Sequence, residues 1–153
     1  MKKIILFVLT AIMLFTMVSC RNNVGTQGAL IVDGQMISSS TTTVYPQYAT
    51  VSLCDVISAL GFELSWNDTN NASFFCNNIK YEICISQKTL VSEGSNDNYL
   101  LCAPGNTHFV CEIYEGDLII DDNTLHALFT TFINYPLDVV IDQENHRVII
   151  TSE

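Results

Sequence analysis

Apolar and polar positions fall in the same order twice along the chain, over residues 51–75 and again over 119–150. In the first stretch Leu53, Val56, Ile57 and Leu60 stand at i, i+3, i+4 and i+7, which predicts a helix with one apolar stripe. Ser52 and Asp55 fit the pattern in which a side-chain oxygen takes a free amide at a helix start, and Gly61 is placed to stop the helix. Phe62, Leu64 and Trp66 then alternate with Glu63 and Ser65, the signature of a half-buried strand. Asn67 to Asn71 are turn formers, and Ala72 to Cys76 return. The second stretch repeats this plan. Leu125, Leu128, Phe129 and Phe132 form the stripe, Asp121 to Asn123 suit the positive end of a helix, and Pro136 closes the connection. Leu137, Val139 and Ile141 lead into the polar turn Asp142 to His146, from which Arg147 to Thr151 return. Matching Ala59 with Ala127 and Trp66 with Ile141 gives the second copy about seven extra residues.

Further strands are expected at Ala29–Val32, Ile79–Ile85, Tyr99–Cys102, Phe109–Tyr114 and Leu118–Ile120. Asp33-Gly34 and Asn77-Asn78 suit tight hairpin turns, and the uncharged polar run Ser38 to Thr43 reads as a loop. The pattern predicts an α+β fold: mostly antiparallel sheet, two short helices, and two degenerate βαββ-type halves. Each half, of roughly 65 residues, buries too little surface alone, so the two are expected to share one core.

The N-terminal segment follows neither period. Lys2 and Lys3 precede an uncharged apolar run from Ile4 to Met17, shorter than the roughly 20 residues a membrane-spanning helix needs. A basic head followed by a short apolar core marks a secretory signal peptide. The run ends in Met17-Val18-Ser19-Cys20, which resembles the bacterial lipobox and implies cleavage before a diacylglycerol-modified Cys20. The organisation expected is a signal peptide over 1–19, a lipidated Cys with its tether over 20–28, and one domain over 29–153. Its related halves span about 29–86 and 99–151.

Charge sharpens this picture. Six Lys and Arg face sixteen Asp and Glu, a formal −10, which excludes a phosphate-neutralising nucleic-acid binder. Removing residues 1–19 takes away Lys2 and Lys3 but no acid, so the remaining chain carries −12. Such a chain is repelled by anionic lipid, which leaves the acyl chains on Cys20 to hold it at the membrane.

Candidate chemistry is sparse. His108, His126 and His146 fall on a loop, a helix and a turn without metal-ligand pairing, so no metal and no cofactor is expected. Without Cys20 the cysteines are Cys54, Cys76, Cys84, Cys102 and Cys111, an odd number. Pairing Cys76 with Ile79 across a two-residue turn carries Cys84 about 17 Å away, beyond disulfide reach. Cys102 and Cys111 flank a Pro-Gly-containing turn and are the pair placed to bridge. Cys54 sits beside the first helical stripe and reads as a small core residue. Asp142, Glu144 and Asn145 gather oxygens in one turn, a weak calcium candidate beside the plainer reading of a solvated hairpin. Phe62, Trp66, Phe74, Phe75 and Tyr81 are candidates for a sugar-binding face, although the inward phase of Trp66 and Phe74 favours the core. No nucleophile elbow, phosphate loop or zinc-protease motif occurs.

Val51-Ser52-Leu53, Ala59-Leu60-Gly61 and Phe62 to Asn67 resemble the copper amine oxidase N-terminal-like domain, or stalk domain. Gly116 to Ile120, Leu125 to Phe129, Val139 to Asp142 and Arg147 to Ile150 resemble it again. Ser52 replaces a frequent Pro of the pattern, and the second helix lacks its Leu-Gly ending. The resemblance implies a small sheet packed around a helix, used as a non-catalytic module at the cell surface, and it implies no copper chemistry. The expected function is therefore a non-enzymatic, lipid-anchored extracytoplasmic module for protein interaction or spacing. The alternatives are a small-ligand or cell-wall glycan binding lipoprotein and, less favoured, a hydrolase. The expected partners are the membrane through Cys20 and a surface protein or wall polymer.

Overall fold

A computed structural model of the chain describes residues 24–38, 41–95, 98–101 and 111–153. The expected signal peptide, Cys20, Cys102 and His108 lie outside the described residues. Strands β1 (Thr26–Gln27), β2 (Ala29–Val32), β3 (Gln35–Ile37), β4 (Thr43–Val44) and β5 (Ala49–Ser52) lead to helix α1 (Leu53–Ala59). Strands β6 (Ser65–Trp66), β7 (Asn71–Cys76), β8 (Ile79–Cys84), β9 (Thr89–Ser92) and β10 (Asn98–Leu100) follow. Then come β11 (Cys111–Tyr114), β12 (Asp117–Asp121) and helix α2 (Asp122–Ala127), which continues as a π-helical turn over Leu128–Ile133. The hairpin β13 (Leu137–Asp142) and β14 (Arg147–Ser152) ends the fold.

These strands form three sheets, ordered β1-β4-β5-β12-β11, β10-β9-β8-β7-β6 and β13-β14-β2-β3. Only β14 with β2 pairs in parallel among the described strands, so the α+β class with mostly antiparallel sheet holds. One contiguous cluster of buried side chains joins all three sheets and both helices, from Leu30 and Val32 through Phe74 and Tyr81 to Phe129 and Ile150.

Local sequence explains both helices. Ser52 is extended and its Oγ accepts the Asp55 amide at 2.9 Å, the cap its spacing predicts. Gly61, at φ +83°, ends α1 in a Schellman turn: its amide bonds to Ser58 O and that of Phe62 to Ile57 O. Phe62 packs against Phe74 and Tyr135 instead of continuing the alternation, and the strand expected from Phe62 pairs over Ser65–Trp66. Asp121 caps α2 by accepting the Thr124 amide at 2.9 Å and its hydroxyl at 2.7 Å. The second helix then widens, and Asn134 in the left-handed region (φ 56°) takes the place that Gly61 holds in the first.

Several expectations shift. Thr26–Gln27, inside the segment read as tether, pair with Thr43–Val44, so Thr43 belongs to a strand rather than to the polar loop. Trp66 keeps the inward phase, opposite buried Ala72, but β6 is a sheet edge and leaves its ring 47% exposed. Phe74 is buried as its phase requires. Asp33-Gly34 and Asn77-Asn78 do form the hairpin turns β2–β3 and β7–β8, with positive φ at all four residues.

Candidate functional site

The pairing of β5 with β12 decides which side chains share the outer face of the first sheet. Thr43 lies opposite Thr50, Thr50 opposite Asp121, and Ile119 opposite Glu112. Period-2 alternation puts Tyr45 beside Thr43 and Tyr114 beside Glu112 on that same face. These residues, with Thr41, line a solvent-open groove of about 190 Å³. Thr50 and Ile119 are buried and form its floor, while Tyr45 and Tyr114 rise on opposite sides.

One wall is rigid for identifiable reasons. Tyr45 and Tyr48 close the β4–β5 turn through Tyr45 N to Tyr48 O at 2.8 Å, and their rings stack at 4.4 Å. Gly25 lies so close to the other side of Tyr45 that an added Cβ would fall 2.6 Å from the ring. Gln143 donates from its side chain to Tyr45 O at 2.9 Å, tying the wall to the β13–β14 turn. The opposite wall is open: Tyr114 is 52% exposed. Burial pushes the Tyr48 phenol up, and Tyr45, Glu112 and Asp121 push it further, the mark of a negative local field.

A second depression, of about 310 Å³, lies on the β10-β9-β8-β7-β6 sheet around Asn67, Asp68, Glu82 and Thr89. Asp68 there accepts the Asn70 and Asn71 amides at 2.7 Å and the Asn71 side chain. Its carboxyl is held below the usual range, chiefly by the Asn71 side chain.

The residues singled out from sequence do not converge. Asp142 accepts the Asn145 amide at 3.1 Å and its side chain at 2.8 Å, so the turn proposed for calcium closes on itself. The Asn145 side chain holds the Asp142 carboxyl low. Among the described residues no three His, Cys, Asp or Glu side chains group to hold a metal ion. Cys111 is buried at the start of β11, and its expected disulfide partner Cys102 is outside the described residues. Cys54 is partly buried, with its amide 3.4 Å from the Asp117 carboxylate; burial first, and that charge second, push the thiol far up and keep it protonated. His126 and His146 are exposed. Of the expected aromatic face, Phe74 and Tyr81 are buried, Phe75 is 60% exposed on the outer side of its sheet, and Trp66 is at an edge.

Sequence reading passed over Tyr45, Tyr48, Glu112 and Tyr114. The one local signal was Tyr45-Pro46-Gln47-Tyr48, an aromatic pair across a Pro turn. The fold and groove define an α+β domain with an open, hydroxyl- and aromatic-lined surface site. No protein-family model, curated protein or solved structure matches the chain.

Proposed function

We propose that this is an exported, non-enzymatic module, held at the membrane through acylated Cys20, which engages a surface partner in the groove between Tyr45 and Tyr114. The observation that carries the reading is the groove: a buried Thr50–Ile119 floor between a braced tyrosine wall and an exposed one. A rigid open surface of this kind suits binding, since little ordering is required when a partner docks. The anchor rests on the basic head, apolar core and Val18-Ser19-Cys20.

The finer fold reading is two related stalk-like halves, and four features support it. β5 and β12 lie side by side, antiparallel, and each runs straight into a capped helix. Each helix ends at a left-handed residue, Gly61 or Asn134. The following aromatics, Phe62 and Tyr135, meet edge to face at 5.2 Å. Each hairpin beyond is closed by an Asp that accepts the amide and side chain of an Asn three residues on, Asp68 with Asn71 and Asp142 with Asn145. Ser52 to Gly61 spans nine positions and Asp121 to Asn134 thirteen, so four of the extra residues of the second half enter its π-helical turn.

The test uses an aromatic photo-crosslinking residue in place of Tyr114 in intact cells, with one at Lys80 as control. A discrete crosslinked product is expected from position 114 alone; the same products from both positions would sink the groove as the docking place. Cys20→Ala is expected to move the protein from the membrane to the soluble fraction. A second reading, binding of a wall glycan, is favoured by the hydroxyls of Thr41, Thr43 and Thr50 beside exposed Tyr114. A glycan pull-down lost in Tyr114→Ala would select it.

A further inference from the structure

We propose that the groove receives an ammonium or guanidinium group, so that its partner is a lysine- or arginine-bearing segment. This rests on the groove being the docking place and names what docks there. Glu112 is the charged side chain of the lining, and no Lys or Arg lines the groove. Asp121, directly across from the floor residue Thr50, is fully buried and caps the second helix through Thr124, so it adds background negative charge without touching the groove.

The described Lys and Arg side chains do not line the groove: Lys80 pairs with Glu82 at 2.6 Å, and Lys88 donates to Cys111 O, the residue before Glu112. Arg147 stands opposite Asp142 in another sheet. An anionic ligand would meet the Glu112 carboxylate with no cation in the lining to offset it, which disfavours phosphate-rich polymers at this place. A neutral ligand would strip water from Glu112 and return no charge, whereas a cation offsets that desolvation. The exposed Tyr114 face adds attraction, because an aromatic ring presents its negative face to a cation. Thr41, Thr43 and Thr50 supply hydroxyl oxygens that can accept from N–H donors. The net negative charge, formally −12 without residues 1–19, raises the rate at which such a segment meets the protein.

The test titrates the intact protein with Nα-acetyl-lysine methylamide and with its neutral, equally long norleucine counterpart, followed by amide NMR. Methylammonium, which keeps the N–H donors, distinguishes a small free ammonium ion from a peptide-borne one. The lysine probe is expected to bind at roughly millimolar strength and to shift Thr50, Glu112 and Tyr114, with norleucine silent. Glu112→Gln is expected to weaken binding about tenfold, and raised salt to weaken it likewise. Tyr114→Leu, a second variant at an exposed position, is expected to weaken both cationic probes. Equal binding of lysine and norleucine, or no cation binding at all, overturns the proposal. A neutral oligosaccharide that shifts the same residues and survives Glu112→Gln also overturns it, while leaving the groove as the docking place.

Discussion

At the scale of single residues, the buried polar atoms separate what stabilises the fold from what burdens it. Thr42 is fully buried, and its Oγ1 has no hydrogen-bond partner. Replacing it with the near-isosteric Val removes an unpaired hydroxyl without opening a cavity. Thr42→Val is therefore expected to stabilise the protein by about 1 kcal/mol in a urea titration. Two turn carboxylates behave in the opposite way, because Asp68 and Asp142 are held below their usual range by Asn71 and Asn145. A depressed folded pKa contributes stability that is present above the unfolded value near 4 and is lost as pH falls through the lower folded value. Asp122 has the reverse sign. Burial raises its folded pKa, while its Oδ1 accepts the Ala49 amide at 2.9 Å, so its contribution is lost as pH rises through that value. Asp122→Asn keeps an acceptor for Ala49, and its stability relative to the parent is expected to rise as pH increases above the unfolded value near 4. Asp68→Asn with Asp142→Asn is expected to flatten the acid limb below about pH 4. Denaturation midpoints against pH read both; a parallel offset at every pH would refute the linkage.

At the scale of elements, caps and turns were the legible part, because their chemistry lies within four residues. Ser52 with Asp55, Gly61, Asp33-Gly34 and Asn77-Asn78 all act as their spacing requires. Asp121 carries more than its place in a run of acids suggested, since it takes both the amide and the hydroxyl of Thr124. Asp121→Ala would strand two buried donors and is expected to cost about 2 kcal/mol or more, against about 1 kcal/mol for Ser52→Ala. Equal losses in equilibrium unfolding would contradict that ranking. The illegible part depends on distant partners. β1 and β4 are two residues each, β1 pairing with β4 and β4 also with β5, and no local period announces either. The π-helical turn cannot be told from a longer α-helix by an apolar stripe, because Leu125, Leu128 and Phe129 suit both. The groove was hidden for the same reason. Thr50, Glu112 and Tyr114 look like ordinary solvent-facing positions until β5 pairs with β12 and brings them together.

At the scale of the whole molecule, the question is whether the N-terminal and C-terminal parts of the chain fold separately. β5 finds its partner in β12, across the boundary between them, and β2 pairs in parallel with β14 from the far end of the chain. The aromatic contacts follow the same course. Tyr81 meets Phe132 at 6.1 Å and donates to Ile133 O at 3.3 Å, while Phe62 meets Tyr135. A fragment of residues 24–95 would keep β6 to β9 and α1, yet would expose the inner faces of Phe74, Tyr81 and Val51. A unit of this size is marginal even with its core complete, and here much of the opposing surface is gone. The fragment alone is expected to show collapsed amide dispersion and no cooperative transition, whereas the intact protein unfolds in one step with coincident far-UV and aromatic signals. A cooperative transition in the fragment would mean that the two parts are independent domains. In that case the groove, built across β4, β5, β12 and β11, would be an interface between domains rather than a fixed surface of one.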